Sequence, residues 1–558
     1  GLVAKFLIAM KIKKIKDMKF IEKSKLFAGL ISGILVLGVS CTDLEEDLQT
    51  ELTSEINTSG TSPSIESTGN GGNGGGSAIL AGPYATLRDG SANHGGYWSV
   101  QSVSTDEMAI TQKGGDWYDG GIWLDVHKHT QGPTNDPVNG AWGNLYAGVN
   151  ECNSKLAGTL TPNETAQIRA LRAYYYLRLV DMYGRVKIVT TPGVDAPQAT
   201  RQQVYSFIES ELLATLGIPS VSAAMDLSGS DLSTDDDKYR INQYAALGIL
   251  SKLYLNAEVY TGTPQWQKAY DAANYIINNS GYTLVDSSYE KNNLGKRPGL
   301  ATDPEKLSGY ATIFAPNNQN NPEIIWSIGY DATTGPNMNF TQMTLHYSSQ
   351  FSWNLQSQPW NGYVALEEFY NSYDDADVRK ANNFIVGEQF DSGGNTIVDY
   401  SDSADPVLNY TPAVNELEPN AQRDGGSRLG KFSFEQFGKD NMNNDYPIVR
   451  LGEMYLNRAE ATARLAGNWP LAAPDVDMIR ARAGLSAMAS ITADTFLAER
   501  GREMFMEATR RSDLIRFEKW GQAWWAKPAD AGTYTSLMPI PQAQIDASSG
   551  SLTQNPGY

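Results

Sequence analysis

From Thr161 onward the chain carries a series of helix signals, each with one apolar face that only a neighbouring element can cover. Thr161 precedes Pro162 and stands three residues before Glu164: an N-cap, a first-turn proline and a capping-box acid. Ile168, Leu171, Tyr175, Leu179 and Met182 then share one face, and Gly184 ends the run. The spacing predicts a second helix over Asn242 to Val259, with Ala245, Gly248, Ser251 and Leu255 along one stripe. Small residues on that stripe let another helix approach closely. Thr263-Pro264 opens a third, in which Trp266, Ala269, Ala273 and Ile276 face one way before Ser280-Gly281. Two helices joined by a short turn make a helical hairpin. The pattern returns over Ile448 to Ala466, breaks at Gly467-Asn468-Trp469-Pro470, and resumes over Asp475 to Ala483 and Asp494 to Thr509. The expected fold is mainly α, a scaffold of tetratricopeptide-like helix pairs with irregular spacing. With 558 residues, 41% of them hydrophobic, the chain can bury a large core.

Between the helical stretches lie Gly90–Asn144 and Asn317–Asn444, rich in glycine, asparagine and aromatic residues. No long helical period is legible there, only short strand candidates such as Ile324–Ile328. Long irregular insertions on a rigid frame are where binding residues concentrate.

The N-terminal region has a different character. Residues 1–17 read as upstream sequence, and Met18 as the start of a leader over residues 18–40. Lys19, Lys23 and Lys25 form a basic region, and Leu26 to Val39 an apolar run too short for a comfortable membrane span. The run ends at Gly38-Val39-Ser40-Cys41, which resembles a bacterial lipobox with Cys41 as the lipid attachment residue. Gly38 departs from the usual leucine of that pattern. Residues 41–77, acidic and then rich in Gly, Ser and Thr, have a composition that cannot bury a core and are expected to form a tether. The folded domain is expected over residues 78–558.

A net charge of −19 argues against nucleic acid as a partner, since phosphate backbones are bound by basic faces. With Cys41 lipidated, Cys152 has no intramolecular partner; it is expected to be a small buried hydrophobe, with no disulfide and no cysteine metal site. His127 and His129 lack a third ligand in any recognisable motif, and Asp235–Asp237 and Asp374, Asp375 and Asp377 lack the spacing of a calcium loop. No metal and no cofactor is expected. A Gly-x-Ser-x-Gly elbow, a phosphate loop and an HExxH signature are all missing from the sequence. Among 63 acidic residues a hydrolytic pair can always be nominated, so that count supports nothing.

Several segments carry a family likeness. Tyr446-Pro-Ile-Val-Arg-Leu-Gly-Glu-Met-Tyr-Leu-Asn-Arg-Ala-Glu460 resembles the C-terminal signature of the SusD/RagB family of outer-membrane nutrient-binding lipoproteins. Ile479–Gly484, Glu499–Glu503, Arg510–Phe517, Met538–Pro541 and Leu552–Tyr558 fit as well, as do Leu145–Asn150 and Arg169–Gly184 upstream. The resemblance implies a surface-exposed, lipid-anchored outer-membrane protein. Such a protein holds an oligosaccharide without cleaving it, so it is not an enzyme, and it serves a SusC-like TonB-dependent transporter. Peptide or protein cargo is the alternative, and a surface glycoside hydrolase a remote one. The signature residues Arg450, Glu453, Arg458, Glu460, Arg500 and Glu503 are expected to pair ions between helices.

Neutral sugars offer an apolar C–H face and a rim of hydroxyls, which proteins meet with flat aromatic rings and with amides or carboxylates. Three loop clusters carry such rings: Tyr97-Trp98; Asp116-Trp117-Tyr118-Asp119 through Trp123; and Tyr347, Phe351, Trp353 and Trp360. Flanking glycines and polar residues mark Trp98, Trp117 and Trp353 as the expected stacking platforms. Asp116 and Gln101 are the expected hydrogen-bonding groups, and Trp123 and Trp360 further candidates. Few Lys or Arg lie nearby, so a neutral glycan is expected; the Asp116–Trp123 run faintly resembles relatives that take up β-glucans.

Overall fold

The computed structural model describes residues 78–558. The expected leader, lipid attachment at Cys41 and tether lie outside the described residues. The helical frame comprises α1 (Ala78–Ala85), α2 (Tyr97–Val103), α3 (Ile122–Lys128), α4 (Asp136–Leu156), α5 (Pro162–Tyr183), α6 (Arg201–Leu216), α7 (Gln243–Leu255) and α8 (Trp266–Asn279). It continues after the long insertion, which holds the short helix α9 (Gln350–Trp353), with α10 (Leu451–Ala466), α11 (Ala473–Arg482), α12 (Ala493–Met504) and α13 (Arg510–Arg516). Four short strands form two antiparallel pairs, one under the site and one in the interior: β1 (Met108–Ile110), β2 (Ile324–Ile328), β3 (Tyr363–Ala365) and β4 (Tyr446–Arg450). The fold is mainly α.

Consecutive helices pack in pairs, α4 on α5, α5 on α6, α7 on α8 and α10 on α11, and α8 also packs on α10. The local signals explain the boundaries. Thr161 Oγ1 accepts the Glu164 N–H while the Glu164 carboxylate accepts the Thr161 N–H, and Gly184 closes α5 at φ 71°. At the α4–α5 crossing Gly148 faces Tyr175, whose ring lies 2.1 Å from where a Cβ on residue 148 would sit. Gly148→Ala improves helix propensity yet drives a methyl into that ring. We therefore expect a net loss of about 1–3 kcal/mol, read as a lower urea midpoint.

The structure differs from the sequence expectation at one boundary, one contact and one loop segment. Residues 448–450, expected as the first turn of the helix ending at Ala466, are strand instead, because β4 pairs antiparallel with β2 in the interior. The close approach at Gly248 is accordingly made by strand residue Val449, 2.4 Å from an added Cβ; the neighbouring helix α10 is met at Ser251, whose hydroxyl accepts from the Asn457 amide. The segment Gly90–Asn144 is more helical than its composition suggested, holding α2, α3 and the start of α4. The short apolar faces of α2 and α3 are stabilised by tertiary packing, which no local period reveals.

Between the strands and the C-terminal helices lies a buried ionic cluster. Glu503 on α12 accepts from Arg379 Nη1 at 3.0 Å, from Arg450 Nη1 at 2.8 Å and from Arg482 Nη2. Arg450 also binds Glu323 and Glu507, and Arg379 binds Asp377 and Glu499. Glu460 pairs with Arg516, Arg458 with Asp475, and Glu453 with Lys252. Arg500 pairs with Asp513. The family-signature residues thus form ion pairs between packed elements, as expected. Packing and pairing stand in for solvation here, since unpaired charges at such depth are prohibitively costly.

Candidate functional site

Strands β1 and β3 pair antiparallel with Ile110 opposite Tyr363. The chain leaving β1 and the chain entering β3 therefore meet at one end of the ribbon. These two loops are residues 111–121 and 358–362, and they carry the densest exposed aromatic group of the expected clusters. Lys113 Nζ donates to the carbonyls of Thr111 and Gly362, at 3.0 and 3.5 Å, joining one loop to the other. A third segment edges the first loop, where Gln112 N–H donates to Leu417 O and Gly114 N–H to Pro419 O.

On this base stands a shelf of rings. The Trp117 indole N–H donates to Trp360 O at 2.7 Å, locking one tryptophan to the backbone of the other. Trp117 is half-buried, Trp360 is 37% exposed and Tyr118 48% exposed. Trp117 lies against the Cα of Gly362; a Cβ there would stand 2.4 Å from the indole, so glycine leaves room for the ring. Beneath, His94 contacts Trp117 edge-on at 5.1 Å, Trp123 at 5.2 Å and Trp360 at 6.3 Å. His94 Nδ1 lies 2.7 Å from Tyr363 Oη, which in turn lies 2.8 Å from Ser99 Oγ. That chain fixes the orientation of the floor.

The loop backbone is held in costly conformations. Trp117, Asp119 and Asn361 have φ of 60°, 45° and 58°, in the left-handed region that non-glycine residues rarely enter. Asn361 is held there by Arg428, whose Nη1 donates to its side-chain oxygen at 2.8 Å. Strain of this kind persists where the surroundings over-determine it, and it clusters at binding sites. Burial pushes the His94 imidazole below its usual value, with Asp119 opposing. Burial likewise drives Lys113 well below the ordinary lysine value, with Arg428 adding to the effect and Asp116 opposing it.

The expected site residues divide sharply. Trp117 and Trp360 meet on the shelf, and Asp116 stands exposed at its rim. Trp98 does not: it is fully buried in α2, its indole N–H donating to Met506 O at 2.9 Å and its ring on Phe340. The glycines before it end a loop and start a helix instead of holding the ring in solvent. Gln101, on the same helix, is buried and donates to Asp181 Oδ2 at 3.1 Å. Trp353 is buried against Phe434 and donates to Gly295 O at 3.3 Å. Trp123 is buried as part of the floor. The expectation of solvent-facing platforms at Trp98 and Trp353 is therefore corrected, as is that of an available Gln101.

Tyr118 belongs to the densest cluster, and its exposure depends on the turn at Asp119–Gly121. Tyr363 and His94 carried no signal, because their roles come from strand pairing. Elsewhere, His127 lies 2.9 Å from Trp525 O, and His129 stacks on Trp520 and pairs with Asp530, so both serve packing. Asp236 pairs with Lys238, and Asp377 caps residues 378–383. Among the described residues no group of three or more His, Cys, Asp or Glu is placed to hold a metal ion. Cys152 is a buried free thiol. No described helix is long and apolar enough to cross a membrane.

The mainly helical frame with its inserted loops has a SusD-like fold, as superposition on solved structures shows. The SusD family model matches residues 322–558. That region contains the signature segments from Tyr446 onward. The chain is 24% identical over 450 residues to the starch-binding protein SusD of Bacteroides thetaiotaomicron, covering 71% of this chain and 73% of that one. It is 24% identical over 414 residues to a SusD-like protein of Bacteroides ovatus, covering 68% and 65%. Among solved structures, a laminarin binding SusD-like protein superposes with a TM-score of 0.64 at 23% identity, covering 86% of this chain and 98% of the other. Surface glycan-binding protein A of Bacteroides thetaiotaomicron, in complex with laminarihexaose, superposes with a TM-score of 0.65 at 20% identity over the same shares.

Proposed function

We propose that this protein holds a neutral glycan on the Trp117–Tyr118–Trp360 shelf, without cleaving it, and delivers it to a SusC-like TonB-dependent transporter. In this reading it sits on the outer face of the outer membrane, lipid-anchored through Cys41. The observation that carries the reading is the shelf itself. Two indoles and a phenol are kept partly in water by a strained backbone, where burial would otherwise stabilise them. Their faces suit the C–H side of a pyranose, and the Asp116 and Asp119 carboxylates at the rim suit its hydroxyls. The names of the relatives point to the same cargo class, one binding starch and two binding laminarin or its hexasaccharide. A β-glucan is the favoured member of that class.

Native affinity electrophoresis on gels containing laminarin, starch or a mixed-linkage glucan tests this. One neutral glucan should retard the protein. Each platform contributes about 1–1.5 kcal/mol, so Trp117→Ala or Trp360→Ala should weaken binding roughly 10-fold and the double variant roughly 100-fold. Undiminished retardation of a folded double variant overturns the assignment. New reducing ends after incubation with the retained glucan would replace it with hydrolysis.

A further inference from the structure

A second exposed aromatic group stands on segments other than those of the shelf. In α9 one helical turn sends Trp353 inward and Phe351 outward, the latter 52% exposed. Phe351 packs edge-on against Tyr400, itself 44% exposed, at 6.2 Å. Phe437, 68% exposed, joins the same surface: its N–H donates to Trp353 O at 2.8 Å, and Gln356 N–H donates to Gly438 O. Uncharged polar groups lie beside these rings, with the Asp399 carboxylate next to Tyr400. Ser392 Oγ donates to Asn354 Oδ1 at 3.2 Å, and Asn354 Nδ2 to Gln436 Oε1 at 3.4 Å.

Two further observations set this surface apart from incidental exposure. Phe437 and Asn354 hold φ of 61° and 50°, so a large apolar ring is kept in water on a left-handed backbone. Each of these conditions alone opposes folding, the second by about 1–2 kcal/mol. Beside Phe351, the Ser352 hydroxyl is buried and has no hydrogen-bond partner among the described residues, and it lines a small pocket with Arg297, Leu300, Glu388 and Gln389. A buried hydroxyl without a partner, beside exposed rings and amides, suits a polyhydroxylated ligand.

We propose that Phe351, Tyr400 and Phe437 form a second glycan contact, which engages the same neutral polysaccharide as the shelf. This rests on the glycan reading above. The connecting chain 354–359 leads directly from α9 into the shelf loop, so both contacts are borne on one stretch of sequence. A second contact on one polymer acts at high effective concentration and strengthens retention of long chains, while a short oligosaccharide confined to the shelf gains nothing.

The test compares laminarin with laminarihexaose by calorimetry, with starch and maltohexaose run alongside, on the full described chain. Phe351→Ala/Phe437→Asn is the informative variant, because asparagine tolerates a left-handed backbone and the fold is preserved or stabilised. Polymer affinity should fall about 10-fold with hexasaccharide affinity unchanged, whereas Trp117→Ala/Trp360→Ala should weaken both. Wild-type affinity for the polymer in the Phe351→Ala/Phe437→Asn variant overturns the second contact and leaves the shelf intact. Failure of the wild-type protein to bind any of the four carbohydrates overturns the shelf reading, and the second contact with it.

Discussion

Glu503→Ala should cost at least 3–5 kcal/mol and leave little folded protein at 37 °C. Glu503 is fully buried and meets three guanidiniums, of Arg379, Arg450 and Arg482. Its backbone carbonyl also accepts from Lys431 Nζ at 3.0 Å. Removing the carboxylate leaves positive charges without their shared counter-ion in a region that water does not reach, the situation in which breaking a buried pair is most damaging. The pH dependence has a definite sign. The surrounding arginines hold the Glu503 carboxyl far below its ordinary value of 4.5, against the desolvation that alone would raise it. Glu499 is likewise lowered, to about 2, by Arg379 and Arg502 against desolvation. A group depressed on folding stabilises fully above its unfolded pKa, and that contribution is lost as pH falls through the folded value. Stability of the wild-type protein should thus fall steeply from about pH 4.5 toward 2, and Glu503→Gln should flatten that limb while lowering stability at pH 7. Urea midpoints measured across that range check both statements; an unchanged midpoint for Glu503→Ala at pH 7 would contradict the role given to the cluster.

Trp98→Ala should lower stability by about 3–5 kcal/mol, the range for deleting a buried tryptophan, whereas Trp117→Ala should cost well under half of that. The two residues lie in similar glycine-rich sequence, and only one is sealed. Trp98 fills space among Phe340, Tyr363 and the Met506 carbonyl, where its loss leaves a cavity. The half-exposed Trp117 leaves mainly solvent-accessible surface and a lost bond to Trp360 O. Measured together, stability and glucan affinity should separate: Trp98→Ala moves the first, and Trp117→Ala moves the second. If Trp98→Ala unfolds at the wild-type urea concentration and fails to bind, Trp98 is a ligand contact after all.

Much of the frame was legible before any coordinates. The Thr161–Glu164 capping box, Pro162 and Gly184 bound α5, and the interruption after Ala466 separates α10 from α11. Capping and amphipathic period are local properties, set within a turn or two of the residue concerned. The assignment of the signature arginines and glutamates to ion pairing also came through, because so many charges among apolar helix faces must find partners. At Ile448–Arg450 the sequence is ambiguous: a short apolar run is compatible with a helix or with an interior strand, and the pairing with Ile324–Ile328 decides it.

The sequence by itself determined a helical scaffold, the loops that interrupt it and the presence of clustered rings on those loops. Only the tertiary structure decided which rings meet water. Phe351 and Trp353 sit two residues apart on one turn and point opposite ways, and Trp98 and Trp117 have similar flanks and opposite fates. The reason is physical: backbone conformation is chosen by neighbours in sequence, but burial is chosen by neighbours in space. The antiparallel pairing of Met108–Ile110 with Tyr363–Ala365, which brings the two loops of the shelf together, joins residues about 250 positions apart.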